Sequence, residues 1–157
     1  MSLKPAVHFT RDGSIADLII AQVCQSQHSV EAALYRLNFP RLEEALAAAA
    51  KRGIKVRLVL DRGKYRDTRT TRELLAAHRL PSRLLAGRQG DKAKMHHKFA
   101  ILDGRAVLTG SYNWTTESEE LNFDNLVVLR DRDTIKRFSR EFELLWNSAE
   151  DVRPRSE

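Results

Sequence analysis

The sequence predicts an α/β protein, in which strands alternate with amphipathic helices and two of the strands lie parallel. Three observations carry this. Residues 30–37 (VEAALYRL), a helix opened by Pro40, and residues 54–60 (IKVRLVL) form a β-α-β unit with parallel neighbouring strands. Residues 98–102 and 105–109 are apolar runs joined at Asp103-Gly104, a favoured hairpin dipeptide, and so form an antiparallel pair. Other stretches repeat apolar residues at helical spacing between Gly and Pro punctuation.

The elements follow in chain order. Residues 6–10 are short, apolar and mildly alternating, as in a first strand. Ser14 is an N-cap, with Asp17 in a capping-box position, for a helix whose stripe is Ile15, Leu18, Ile19 and Val23. Pro40 suits the first position of the second helix, which turns Leu42, Ala45, Leu46 and Ala49 inward until Gly53 ends it in a left-handed cap. Residues 54–60 alternate apolar and basic side chains and run into Asp61. Residues 61–72 (DRGKYRDTRTTR) then read as a basic loop at the carboxyl end of a parallel strand, where α/β sheets place ligands. Thr70 and Glu73 predict a capping box for a helix through His78, which Pro81 stops, before a short strand over residues 82–86. Residues 87–94 (GRQGDKAK), with two glycines, read as a flexible lip. After the hairpin, residues 115–120 form a polar turn and residues 122–130 a strand. Asp133 caps a last helix with core residues Ile135, Phe138, Phe142 and Leu145, Trp146 lying alongside. Residues 1–5 and 150–157 are expected to fray.

The length, 157 residues, suits one domain spanning the whole chain. Lys and Arg number 27 against 21 Asp and Glu, a formal charge of +6, which favours a polyanionic partner. Charge does not choose between nucleic acid and an anionic lipid surface. One cysteine, Cys24, excludes an intrachain disulfide and fits a reducing compartment. No apolar run reaches the length of a membrane span and no secretory signal pattern opens the chain, so a soluble, cytoplasmic protein is expected. His8, His28, His78 and Cys24 are scattered without the spacing of a zinc site, so neither a metal nor another cofactor is expected.

Residues 95–115 (MHHKFAILDGRAVLTGSYNWT) carry the chemistry, in the pattern H-x-K-x4-D-x6-G-S-x-N: His96, Lys98, Asp103, Gly110, Ser111 and Asn113. Six fixed positions coincide by chance at about one start in 10^8. Side chains alternate along a strand, so His96 and Lys98 share one face and His97 takes the other. A hairpin turning at Asp103-Gly104 returns Ser111 and Asn113 beside them. A base, a fixed cation, a hydroxyl and an amide then surround one point, which suits a phosphodiester attacked in line at phosphorus. Lys98 and Asn113 would hold the anionic oxygens. Neutral imidazole would attack to give a phosphohistidine, with a carboxylate, Asp124 being the candidate, orienting its other nitrogen.

The pattern resembles the HKD signature of the phospholipase D superfamily. The likeness extends to the segment around Tyr35, the helix ending at Arg52-Gly53, the strand ending at Asp61 and the closing residues 142–146, as in the family's small single-motif, nuclease-like members. It implies a mixed, mostly parallel sheet flanked by helices on both faces, with His96 as nucleophile, Lys98 and Asn113 on phosphate, Ser111 assisting, and Asp103 in a structural role with Gly104 and Gly110. Asp124 stands before Asn125 where those small members usually carry Glu, one methylene longer. Larger members hold two motif copies and this chain holds one, so the resemblance implies a homodimer in which two His96 residues face one phosphate, one serving as general acid.

The leading expectation is therefore a metal-independent nuclease acting on DNA or RNA. Arg62, Lys64, Tyr65, Arg66, Lys92, Lys94 and Trp114 are its candidate substrate contacts, with Tyr65 and Trp114 stacking on bases. The alternatives are a phospholipid phosphodiesterase of cardiolipin type and a non-catalytic nucleic-acid-binding module.

Overall fold

The structure, a computed structural model, describes residues 4–152. The β-α-β unit forms as its pattern requires. β2 (Ser29–Leu34) and β4 (Lys55–Asp61) are parallel, with Val30 opposite Val56 and Leu34 opposite Leu60. Between them runs α2 (Pro40–Lys51), with Pro40 in its first turn and Leu42, Ala45, Leu46 and Ala49 all buried. β5 (Ser82–Gly87) adds a third parallel strand beside β4.

The rest of the sheet is antiparallel. β7 (Lys98–Leu102) pairs β2 on one side and β8 (Ala106–Gly110) on the other, β10 (Asn125–Leu129) pairs β8, and β1 (Ala6–Phe9) closes that edge. The order is β1-β10-β8-β7-β2-β4-β5-β11, with β6 (Gly90–Lys94) folded back on β5 and β11 (Glu150–Asp151) on the far edge. The expected sheet is thus corrected from mostly parallel to mixed. Parallel pairing needs a helical crossover, and only the steps from β2 to β4 and from β4 to β5 contain one, whereas the tight turn after β7 reverses the chain. In that turn Asp103 and Gly104 both take positive φ, 54° and 61°, and Arg105 N–H donates to the Leu102 carbonyl at 2.9 Å.

Strand alternation separates two cores. Ala32, Leu34, Leu58, Leu60, Ala100, Leu102 and Leu108 face α1 (Ile15–Gln25), α2 and α4 (Arg69–His78). Ala33, Val59, Phe99, Ile101 and Val107 face Ile135 and Phe142 of α6 (Arg132–Ser148), with Phe138, Leu145 and Trp146 packed against them. Helices therefore cover both faces of the sheet. Truncating Phe142, fully buried, would cost about 3–5 kcal/mol. No helix among the described residues is long and apolar enough to cross a membrane.

Several local expectations change. The basic loop over residues 61–72 is helical: Asp61 caps α3 (Arg62–Asp67) by accepting the Lys64 N–H at 3.0 Å, and α4 follows at once. Lys and Arg are good helix formers once a cap nucleates the turn. The residue preceding α4 is Thr68, without a side-chain cap; Thr70 donates instead to Asn38 and Glu73 pairs with Arg69. The lip is a hairpin, Lys94 pairing Ala86, because backbone pairing with an otherwise open strand edge outweighs glycine's freedom. The polar turn contains α5 (Thr116–Glu120), capped by Thr115, and the cap of α6 is Asp131 rather than Asp133. At the carboxyl end, Glu150 and Asp151 pair with β5 rather than fray; the expected fraying of residues 1–3 and 153–157 lies outside the described residues.

Candidate active site

The motif straddles the β7–β8 hairpin, and one carboxylate aligns its first half. Asp61, buried at the end of β4, accepts the Met95 N–H on Oδ1 at 2.9 Å and the Lys64 N–H on Oδ2 at 3.0 Å. Tyr35 N–H donates to the His97 carbonyl at 2.7 Å, fixing the non-strand segment that carries both histidines. Alternation then divides them. His97 turns to α6, edge-on to Phe99 at 5.2 Å and 3.6 Å from Glu141. His96 turns the other way and lies against the ring of Tyr35, centroids 4.5 Å apart.

Lys98 Nζ lies 3.2 Å from His96 Nδ1, 3.3 Å from Nε2 and 2.9 Å from the His96 carbonyl, to which it donates. Near-equal distances to both ring nitrogens mean that the ammonium meets neither lone pair head-on, so a nitrogen stays available for attack. Partial desolvation first, then the charges of Lys98 and Lys94, hold the His96 pKa below its ordinary value, with Asp61 opposing. The uncharged imidazole is thereby favoured. Desolvation also lowers Lys98, while Asp124 opposes.

The second half is delivered by Gly110. A Cβ there would lie 2.3 Å from the Asn125 carbonyl oxygen, so only glycine lets β8 pass this close to β10. Ser111 Oγ donates to Asp124 Oδ1 at 2.7 Å and accepts the Asn125 N–H at 3.0 Å. Asp124 thus holds the serine, and among the described residues it forms no hydrogen bond to His96. Its Oδ2 is buried without a donor, as is Asn113 Oδ1, so the cluster retains two unused acceptors. Partial burial works to raise the Asp103 pKa, but its carboxylate accepts the N–H groups of Gln27, Ser29 and His28 and the net shift is downward.

The expected substrate contacts divide. Lys64 and Lys94 stand beside the site, their ammoniums 5.8 and 5.6 Å from the centre of the Tyr35 ring. Arg62 is engaged by Asp91 at 3.0 Å and Glu150 at 3.5 Å, tying α3 to β6 and β11. Arg66 and Lys92 are exposed. Tyr65 packs against the core, and Trp114 is 1 % exposed, so Trp114 cannot stack on a base. Its burial follows from pairing beside Leu37 in the short β3 (Leu37–Asn38) and β9 (Trp114–Thr115) ladder. Two residues that sequence reasoning did not place in the site are Tyr35 and Asp61. The available signals were an aromatic near the end of a buried strand and a carboxylate ending an apolar run.

A groove of about 640 Å³ opens beside His96, with Arg88 and Lys94 of the hairpin on one side and Glu141 and Leu144 of α6 on the other. No three His, Cys, Asp or Glu side chains among the described residues converge to hold a metal.

Residues 19–146 match the family model of the cardiolipin synthase PLD-like domain. The chain belongs to the phospholipase D superfamily. Its relatives include proteins named mitochondrial cardiolipin hydrolase: that of Xenopus tropicalis is 30% identical over 135 residues, covering 86% of this chain and 62% of the relative, and that of Mus musculus is 30% identical, covering 86% and 59%. The chain thus spans about three fifths of the length of these curated relatives. Among solved structures, the phospholipase D family member Nuc from Salmonella typhimurium superposes with a TM-score of 0.84 at 27% identity, covering 96% of this chain and 100% of Nuc. NucT from Helicobacter pylori gives 0.85 at 25% identity, covering 95% and 99%. In this phospholipase D-like chain the Asp61 clamp and the Gly110 contact are what turn a linear motif into a cluster.

Proposed function

We propose that the chain is a metal-independent phosphodiesterase that hydrolyses nucleic-acid strands through a phosphohistidine, in a site completed by a second copy. The observation that carries this is an imidazole held against Lys98, with the ammoniums of Lys64 and Lys94 gathered around the same Tyr35 ring. A His96 ring nitrogen attacks phosphorus while Lys98 and Asn113 hold the non-bridging oxygens; the P–N bond forms, the P–O bond to the leaving group breaks, and the leaving oxygen takes the electron pair and a proton. Water then attacks phosphorus and the P–N bond breaks, returning the imidazole. The first step needs an acid opposite the nucleophile, which His96 of a second copy supplies. The free Oδ2 of Asp124 is the acceptor suited to orienting an imidazole N–H.

Cleavage of single-stranded DNA, duplex DNA and RNA in EDTA, with His96→Ala as control, tests the reading. Turnover in EDTA and an acid-labile phosphoryl adduct are expected. Full activity from a monomer in sedimentation and rate measurements would overturn the shared site.

A second reading is hydrolysis of a cardiolipin-type lipid. Relatives 30% identical carry that name, and Phe9 and Phe123, 50 % and 85 % exposed, line a shallow depression with Asp124 that suits acyl chains. Cleavage of cardiolipin vesicles without cleavage of nucleic acid would establish it.

A further inference from the structure

Three ammonium groups converge on one aromatic ring beside the nucleophile. Lys98 Nζ lies 5.3 Å from the centre of Tyr35, Lys94 Nζ 5.6 Å and Lys64 Nζ 5.8 Å. They arrive from three separate elements, β7, β6 and α3. No carboxylate among the described residues lies within ion-pair distance of any of the three. Like charges gathered without a counter-charge repel one another, and the ring's quadrupole offsets only part of that repulsion. An anion is the natural complement.

The convergence is built into the fold. The two oxygens of Asp61 hold the backbone at Lys64 and at Met95, the neighbour of Lys94, so one buried carboxylate fixes both lysine-bearing segments relative to each other. Gly87 permits the same arrangement from the other side: a Cβ there would lie 2.4 Å from Lys94 N, so the hairpin closes onto Lys94 only with glycine at position 87. Asp61 is thereby occupied with backbone N–H groups and forms an ion pair with none of the three ammoniums.

One lysine suffices for the reacting phosphate. Lys98 reaches both ring nitrogens of His96, whereas Lys64 and Lys94 make no hydrogen bond to it among the described residues. We propose that Lys64 and Lys94 form, on the edge of Tyr35, a second phosphate subsite that holds the phosphodiester next to the one being cleaved. This rests on the nucleic-acid reading above and gives it a minimum substrate: a strand with two successive phosphates. A nucleic-acid strand presents such a pair at every step, and each contact releases condensed counterions. The subsite recognises charge and spacing and carries no base preference.

Two measurements test it. In the first, isothermal titration of the full chain with inorganic phosphate and with pyrophosphate compares one phosphate with two linked ones, without any turnover. The wild-type protein is expected to bind pyrophosphate at least tenfold more tightly than phosphate, and Lys64→Gln/Lys94→Gln to bind the two within twofold of each other. Lys64→Arg/Lys94→Arg should restore the preference, which separates loss of charge from loss of fold. An unchanged preference in the Gln pair, or none in the wild type, overturns the subsite. In the second, the ratio of kcat/KM for oligothymidylate to that for bis(p-nitrophenyl) phosphate, which has a single phosphate, should fall about tenfold in the Gln pair. The slope of log kcat/KM against log salt for the oligonucleotide should flatten by about 0.7, the value for one lost contact on a single strand. An equal loss on both substrates would place the lysines on the scissile phosphate and overturn the proposal. A pyrophosphate preference that depends on both lysines, with no cleavage of any nucleic acid, would support the subsite and defeat the nuclease reading; cardiolipin, with two phosphates per molecule, would then be the substrate to test.

Discussion

The two halves of the active site are built on opposite principles. Around Tyr35, His96 and three lysines gather without counter-charges in ion-pair reach. Around Ser111, an acid, an amide and the Asn125 backbone N–H form a hydrogen-bonded knot, which among the described residues leaves Asp124 Oδ2 and Asn113 Oδ1 without a partner. The first is electrostatically unfinished and waits for an anion. The second is nearly finished and fixes positions. Under the proposed mechanism, binding and attack fall to the β6–β7 side and the β8–β10 side supplies geometry, so substitutions in the two halves should fail in different ways.

The largest effect is expected from His96→Ala, a loss of about 10^4-fold or more in kcat, since a nucleophile has no substitute in its own half. Activity within tenfold of wild type would remove His96 from that role. Lys98→Met should cost about 10^2 to 10^3-fold in kcat, the scale for losing one charge-stabilising donor in the transition state. If the knot acts by position, Ser111→Ala and Asp124→Asn should each cost less than Lys98→Met, and the double variant should be no worse than the poorer single one, because the two side chains share a 2.7 Å hydrogen bond. Additive losses in that cycle would break the contrast between the halves.

A smaller effect concerns pH. In the proposed mechanism only neutral His96 attacks, so the acidic limb of kcat/KM should follow its pKa, which lies below the ordinary value. The Lys94 charge contributes to that depression. Lys94→Met should therefore raise the pKa and move the acidic limb to higher pH. The smallest effect on catalysis is expected from Glu43, a carboxyl in α2, 1 % exposed. Desolvation pushes its pKa up to about 7, with the backbone at Phe39 opposing and Glu44 adding to the rise. The folded pKa is raised, so the stability that neutral Glu43 contributes is complete below the unfolded value and is lost as pH climbs through about 7. Glu43→Gln should stabilise the protein by about 2–3 kcal/mol at pH 8 relative to pH 5, read as denaturant midpoints, without altering kcat.

Much of this architecture is legible in the chain. Periodicity marks the β-α-β unit and the inward face of α2, and Asp103-Gly104 marks the turn that joins the two halves of the motif, because these depend on neighbours within a few residues. His96, Lys98, Ser111 and Asn113 could be named from spacing alone. What spacing misjudges is anything decided by a distant partner. Trp114, read as a surface aromatic, is buried because β9 pairs with β3, nearly eighty residues upstream along the chain. The residues 61–72 look like a loop because composition cannot show that Asp61 will cap a helix while also holding Met95.

The sequence by itself therefore determined the elements, the motif and the chemistry its residues can perform, since residue type and local period suffice for these. Only the tertiary structure decided which charges stand together. It brought Lys64, Lys94 and Lys98 to one ring, attached Asp124 to Ser111, and left the sheet mixed rather than mostly parallel. The reason is physical: each of these rests on side chains from several elements meeting in space, and such meetings are fixed by packing across the whole sheet rather than by any window of the chain.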